Sequence, residues 1–479
     1  MITKNGERRA RASLVVTLAL GLALAPSARA QHPGHGEPME PPEELPPPPK
    51  GPPLPPPEWP RPPLPPRDAV SRDEAREASG TAWQPLSTPT WAVHLPLGPG
   101  QLMLHGNAFA AYTDQSTRRG IHTAFSTSWF MGMARLPVGG GSVAARVMAS
   151  LEPFTVTDGG YPELFQSGEV YHGQPLHDRQ HPHDLFMELA LLARVPLADA
   201  VGVQVYAAPV GEPALGPVAF PHRSSALHDP IAPLSHHWMD STHISYGVLT
   251  GALLLRDVKI EGSWFNGREP DEHRTDFDPV RFDSWAARVS FAPLPSFVLQ
   301  ASYGRLSSPE SLQPEESVHR VTASALWSDR LGRQGYAALT LAWGRNLEGG
   351  RAEDALLAEG TWSRDGRNAI FARFEWVVKN ARELVVPGTD PDRRFDVLGL
   401  SAGFAHSFGP FARLMPALGV RANVYEVPSS LQTAYGSQTP VGVVVFAQLY
   451  PAMATGAGHG AAQGVHGQHE GSPDHGGHE

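Results

Sequence analysis

Nine of the chain's 22 histidines lie in the 72 residues from His172 to His243. Asp178-Arg179-Gln180-His181-Pro182-His183-Asp184 places His181 and His183 two positions apart. In an extended segment two such side chains project to the same side, which is the geometry a chelate needs. His236-His237 and Asp240-Ser241-Thr242-His243 follow further along. Neutral imidazole binds Cu, Zn or Ni through one ring nitrogen, and a nearby carboxylate can orient the other. His181, His183, His236, His237 and His243 are therefore candidate metal ligands, with Asp178, Asp184 and Asp240 as direct or outer partners. A competing reading has these Asp and His residues bonding neighbouring backbone, simply holding two large loops together. A third is hydrolytic, with Asp240, Ser241 and His243 as a triad. Their spacing matches no nucleophile motif, so no catalytic residue is assigned and the chain is read as a non-enzyme.

Histidine also gathers at both ends. His32 and His35 stand near the start, and His459, His466, His469, His475 and His478 in a Gly-rich tail with Glu470, Asp474 and Glu479. Such tracts are compositional metal binders of low specificity, unless the tail is merely solvated. No cofactor is obligatory on this reading; Cu or Zn is the candidate ion.

The elements that must position these groups begin after an export signal. Lys4, Arg8, Arg9 and Arg11 precede an apolar run from Leu14 to Ala25, and Ala28-Arg29-Ala30 supplies a cleavage site. Residues 1–30 are read as a signal peptide. Residues 33–66 hold 18 of the 49 prolines, so 31–100 is expected to be a periplasmic linker, extended and solvated where Pro-rich, with a short helical turn within Ser71–Ser79.

From 101 to 450 apolar residues alternate with polar ones. Val143, Ala145 and Val147 alternate with Arg146 and Ser150; Ile260 and Trp264 with Lys259 and Glu261; Ile370, Phe374 and Trp376 with Arg373 and Glu375; Leu418 and Val420 with Arg421. Ten-residue strands with one apolar and one charged face suit lipid outside and a polar lumen inside. An open edge in hydrocarbon would leave backbone groups unpaired, so the sheet must close. The expected fold is all-β: a closed antiparallel transmembrane β-barrel of about sixteen strands over 101–450, with 451–479 a disordered tail. Short connections alternate with long ones near 114–121, 153–183, 210–240, 266–280, 305–316, 346–352, 380–393 and 426–440. Trp129, Trp264, Trp285, Trp327, Trp343 and Trp376 are expected in interfacial girdles.

In this patterning the chain resembles the porin-like outer-membrane β-barrels of Gram-negative bacteria. Its loops, with Gly160-Tyr161-Pro162-Glu163-Leu164-Phe165 and Phe265-Asn266-Gly267-Arg268-Glu269-Pro270-Asp271-Glu272, resemble uncharacterised outer-membrane proteins loosely associated with metal handling. The resemblance implies location in the outer membrane and contact with its lipid; the even strand count puts both termini in the periplasm.

If the phase is right, Arg146, Lys259, Glu261, Arg288, Arg320, Arg373, Glu375 and Arg421 project into the lumen. A sixteen-strand lumen is wide enough for water, and mixed charge suits a hydrophilic channel. The alternative is a lumen plugged by the long loops, its charges paired among themselves. The absence of Cys excludes thiol enzymes and iron–sulfur proteins, and a net charge of −10 argues against nucleic-acid partners. The leading expectation is a barrel that binds or passes small polar solutes, transition-metal cations first among them. A hydrolase acting on lipid or lipopolysaccharide and a structural or adhesive barrel are the alternatives. Topology adds one geometric expectation. The loops 153–183 and 210–240 descend into strands separated by one, so their histidines should lie on the order of 10 Å apart at one rim.

Overall fold

The computed structural model describes residues 66–454. The expected signal peptide, the Pro-rich stretch through residue 65, and the tail beyond 454 lie outside the described residues, and with them His32, His35, His459, His466, His469, His475 and His478.

The strands in chain order are β1 (Val93–Leu97), β2 (Gly100–Gln115), β3 (His122–Val138), β4 (Gly141–Ala149), β5 (Tyr161–Tyr171), β6 (Gln174–Gln180) and β7 (Phe186–Ala198). Next come β8 (Val201–Gly211), β9 (Ser245–Leu255), β10 (Val258–Phe265), β11 (Ser284–Leu294), β12 (Phe297–Ser307) and β13 (Ser317–Leu331). The last are β14 (Gly335–Glu348), β15 (Arg351–Ser363), β16 (Asn368–Asn380), β17 (Arg394–Ser407), β18 (Leu414–Glu426) and β19 (Val441–Pro451). Sixteen of them, β2–β4 and β7–β19, form one antiparallel barrel, closed where β19 pairs with β2 from Gly442 opposite Gln115 to Leu449 opposite Ala108. The short β1 pairs with the start of β2, and β5 and β6 form a separate hairpin.

Closure follows from the two faces. Val143, Val147, Ile260, Ile370, Phe374 and Leu418 are exposed outward, while Arg146, Lys259, Arg373 and Arg421 are buried within. An apolar exterior of this kind belongs in a bilayer, where only a closed ladder satisfies every strand's backbone. No helix among the described residues is long and apolar enough to cross a membrane; the crossing is made by strands.

Connections at one end are short and at the other mostly long. The exception is 346–352, expected as a long loop. It is the two-residue turn Gly349-Gly350, both at positive φ, and β14 and β15 pair out to Glu348 opposite Arg351. At the short-turn end the last described residue meets the stretch before β1, where Ala454 N donates to Thr90 O at 2.8 Å. Trp264 and Trp285 are exposed outward, but Trp129 is a correction: it stacks on the loop residue His222 with ring centroids 4.5 Å apart.

The lumen is occupied by two inserted segments. From the short-turn end enters the stretch before β1, which carries the helix α1 (Ala69–Ala75), capped by Asp68 through Ser71 N. The linker expected to reach residue 100 therefore gives way to packed structure much earlier. Burying these residues is tolerable because their charges are matched. Asp73 meets Arg194 Nε at 2.6 Å, Lys259 Nζ at 2.8 Å and Trp83 Nε1 at 2.7 Å. Glu77 pairs with Arg135, Arg146 and Arg194.

From the long-loop end enters the segment between β8 and β9. Its Arg223 bonds Glu359 at 2.6 Å, its Asp229 lies 3.0 Å from Arg421 and 3.3 Å from Arg373, and Ser235 Oγ donates to Glu375 at 2.7 Å. The two segments touch: Ala219 N donates to Ser79 Oγ at 2.9 Å, and Ala82 packs with Val218 and Leu326. All eight expected lumen residues point inward and are buried, Arg288 against Glu261 at 2.9 Å and Arg320 against Ser241 at 2.9 Å. The described conformation is thus the plugged, charge-paired lumen rather than the open channel.

Candidate metal centre

Two loops build the site. The connection from β4 to β7 contains the helix α2 (Glu152–Thr155) and the β5–β6 hairpin, then His181-Pro182-His183 just before β7. The hairpin is held inside the barrel mouth by Phe165, which packs on Tyr435 and Tyr425 with centroids 4.3 and 5.1 Å away, and by Lys379 Nζ donating to Ser167 Oγ at 2.7 Å. The connection from β8 to β9 contributes α3 (His236–Met239) and a 3₁₀ turn, Ser241–His243, ending at β9. Gly168, at φ +115°, lets the hairpin lie against α3, since a Cβ there would stand 2.3 Å from His237 Cε1.

The five expected rings come together, all buried. Centroids are 5.6 Å apart for His181 and His237, 5.2 Å for His236 and His237, 5.2 Å for His236 and His243, 5.2 Å for His183 and His243, and 6.1 Å for His181 and His236. Ligand nitrogens of His181, His236 and His237 lie within 4.8 Å of one another.

The hydrogen bonding is one-sided. His183 Nδ1 meets Glu152 at 3.0 Å, His236 Nδ1 meets Asp240 at 2.9 Å, and His237 Nδ1 meets Glu269 at 3.3 Å. His243 Nδ1 meets the Asp240 carbonyl at 2.8 Å, and His181 Nδ1 lies 3.2 Å from Glu169. Every Nδ1 thus faces an oxygen acceptor, which places the proton there. All five Nε2 atoms are buried without a hydrogen-bond partner. Anchoring Nδ1–H to a carboxylate or carbonyl fixes ring orientation and leaves Nε2 as a free lone pair, the arrangement of ligating histidines.

The electrostatics keep three of the rings, His181, His236 and His243, neutral. Burial, with the positive charge of Arg274 next, pushes His181 well below the ordinary imidazole range. Burial and the neighbouring His236 and His183 do the same to His243. His236 is also lowered by burial, against the opposing pull of Asp240. Burial disfavours ionised Asp240, but Arg223 and His236 outweigh it and hold the carboxyl well below the usual range. A neutral imidazole beside an ionised carboxylate is the pairing that a cation needs.

The three expected carboxylates fare differently. Asp240 anchors two rings. Asp178 does not join the cluster; it accepts from Phe165 N at 2.9 Å and from Arg119 at 3.1 Å. Asp184 sits beside His183 but is engaged by Tyr246 Oη at 2.5 Å and Arg274 at 3.2 Å. Glu152, Glu169 and Glu269, which hold three of the Nδ1 atoms, had no sequence signal, since no motif or spacing ties Glu152 of α2, Glu169 of β5 or Glu269 after β10 to these rings. The triad is not assembled: Ser241 Oγ accepts from Arg320, and His243 Nδ1 faces a backbone carbonyl.

No family model and no curated protein sequence matches the chain. Solved structures do. OmpT, an outer membrane protein of Vibrio cholerae, is 9% identical over 75% of this chain and 100% of its own, with a TM-score of 0.42. OmpF of Salmonella typhi, solved with daunomycin, is 10% identical over 74% and 100%, with a TM-score of 0.45. An anion-selective porin from Comamonas acidovorans is 12% identical over 73% and 99%, with a TM-score of 0.44. The barrel assignment rests on the closed strand ladder itself, and these are barrels of outer membranes that this chain is similar to.

Proposed function

We propose that the chain is a non-enzymatic outer-membrane β-barrel that captures a transition-metal cation, copper or zinc, in the histidine centre, with both termini periplasmic. One observation carries this reading: the five clustered rings each keep a buried Nε2 without a partner while every Nδ1 is anchored, and ligand nitrogens of three of them, His181, His236 and His237, lie within 4.8 Å of one another. A buried polar atom left without a partner costs about 1–3 kcal/mol, so several in one cluster call for a shared partner. Nitrogen donors without thiolate or an oxygen majority suit Cu and Zn better than Mg or Ca. The His-rich termini form a second, weaker tier that gathers the same ions. Passage of small polar solutes through the lumen requires both inserted segments, the N-terminal one and the β8–β9 connection, to move aside, and the charged inner wall would then line the path.

The test is a Cu²⁺ and Zn²⁺ titration of detergent-solubilised protein lacking Gly456–Glu479. A tight site should survive the deletion and vanish in the H181A/H236A/H237A variant. If only weak binding remains once the tail is removed, or the triple variant binds as tightly, the reading fails.

A further inference from the structure

Beside the histidine centre lies a cavity of about 330 Å³ that the centre does not use. Its walls come from the β5–β6 hairpin, from His237 and Trp238 of α3, from the connections after β10, β12 and β16, and from the adjoining ends of β13–β16. Those connections belong to the long-loop end, and Leu312 on the cavity's rim is exposed. Six glutamates face it: Glu169, Glu269, Glu310, Glu348, Glu353 and Glu383. Of its three arginines, Arg351 and Arg382 are turned toward Asp392, at 3.1 and 3.0 Å, and Arg320 is engaged by Ser241 and Asn346.

Two further observations give this acidity a ligand. The side chains of His237 and Glu269 are each only 8% exposed, and His237 Nε2 and Glu269 Oε2 have no hydrogen-bond partner. Ligand atoms of His237, Glu269 and Glu310 lie within 4.8 Å of one another. Like charges gathered round a buried open oxygen lack the cation that would relieve them. His237 belongs both to this group and to the trio with His181 and His236.

We propose that the cavity is a loading site for a divalent cation, held by Glu269 and Glu310 and passed inward through His237. The proposal rests on the histidine centre for its destination, but the loading site has its own chemistry. Carboxylate oxygens take hard cations that imidazoles do not favour.

Tb³⁺ separates the two sites, because it binds oxygen and its emission is sensitised by a nearby indole, here Trp238. The background carries Asp276→Asn, which disrupts the exposed Asp271, Asp276 and Asp278 group elsewhere. Saturable, Trp-sensitised emission is expected in this protein and in its H181A/H236A derivative. With E310Q/E383Q, affinity should fall about tenfold or more, as loss of ligand charge weakens such sites. Stopped-flow Zn²⁺ uptake should slow by about tenfold in the same variant, while equilibrium Zn²⁺ stoichiometry at the centre stays the same. E310D, which keeps the charge, should restore much of the rate and shows that the fold is intact. Unchanged Tb³⁺ affinity in E310Q/E383Q refutes the loading site. Normal Tb³⁺ binding with no Zn²⁺ at the histidines refutes the centre and the transfer, leaving a carboxylate cation site.

Discussion

Replacing Asp240 by Asn removes one charge and almost no volume, yet neither orientation of the amide fits its surroundings. Oδ1 receives His236 Nδ1 at 2.9 Å, and Oδ2 receives Arg223 Nη1 at 3.0 Å and Phe220 N at 2.8 Å. If the amide oxygen stays with His236, its NH₂ confronts two donors. If it turns to Arg223 and Phe220, its NH₂ confronts His236 Nδ1 and drives the ring proton to Nε2. A protonated Nε2 has no lone pair for a metal. Loss of such an orienting partner typically costs 10–100-fold in metal affinity, or about 1.4–2.7 kcal/mol. Stability should suffer less than a buried charge usually implies, because Arg223 keeps Glu359 at 2.6 Å. The assay is a competition titration of Zn²⁺ against a chromophoric chelator, with thermal melts run alongside. Asp178→Asn is the control, because Asp178 lies on Arg119 and Phe165 rather than on the rings. Zn²⁺ affinity within about twofold of wild type in a folded Asp240→Asn protein would refute the argument that these nitrogens are ligands.

Three further outcomes are expected. Gly168→Ala should displace His237, since the new methyl would stand 2.3 Å from its ring, and should weaken Zn²⁺ binding measured by the same competition while leaving β-sheet circular dichroism unchanged. Asp73→Asn with Glu77→Gln removes the carboxylates that Arg146, Arg194 and Lys259 use to hold the N-terminal segment. Breaking a buried pair costs about 3–5 kcal/mol, so conductance in planar bilayers should rise; a silent double variant would show that freeing this segment does not open a path past the β8–β9 connection. His228 in the inserted loop, bonded to Gln448 at 2.8 Å, is lowered by burial to about 4. The undocked loop, with an ordinary pKa near 6.5, then binds more protons than the docked one between those values. Docking is therefore at full strength above about pH 6.5 and weakens as pH falls, by roughly 3 kcal/mol at pH 4. Channel opening on acidification that persists unchanged in His228→Gln would contradict this.

The barrel was legible because lipid and lumen make opposite demands on alternate residues, so Val143-Ala144-Ala145-Arg146-Val147 fixes its own phase. The convergence of His181 and His183 with His236, His237 and His243 was legible as topology, since both groups sit directly above strands one apart. Other features leave no periodic trace. The segment around α1 holds a seven-residue helix behind a Pro-rich run, and its burial depends on Asp73 and Glu77 finding cations more than fifty residues away. Trp129 read as a girdle residue because an aromatic suits either face of a barrel strand; on β3 it shares the inward phase of Phe125, Thr127 and Met131 and meets His222 from a distant loop. Glu152 and Glu269 reach their histidines across loops, and no spacing rule links them. Asp178 looked equivalent to Asp184, but the hairpin turns it toward Arg119.

The most direct measurement is an anomalous difference map from crystals of the protein soaked in Zn²⁺ or Cu²⁺, recorded on both sides of the metal's absorption edge. A single strong peak is expected among His181, His236 and His237, with metal–nitrogen distances of about 2.0–2.1 Å and every bond made by Nε2. An empty centre in crystals that carry metal elsewhere, or a peak coordinated only by oxygen, would contradict the account.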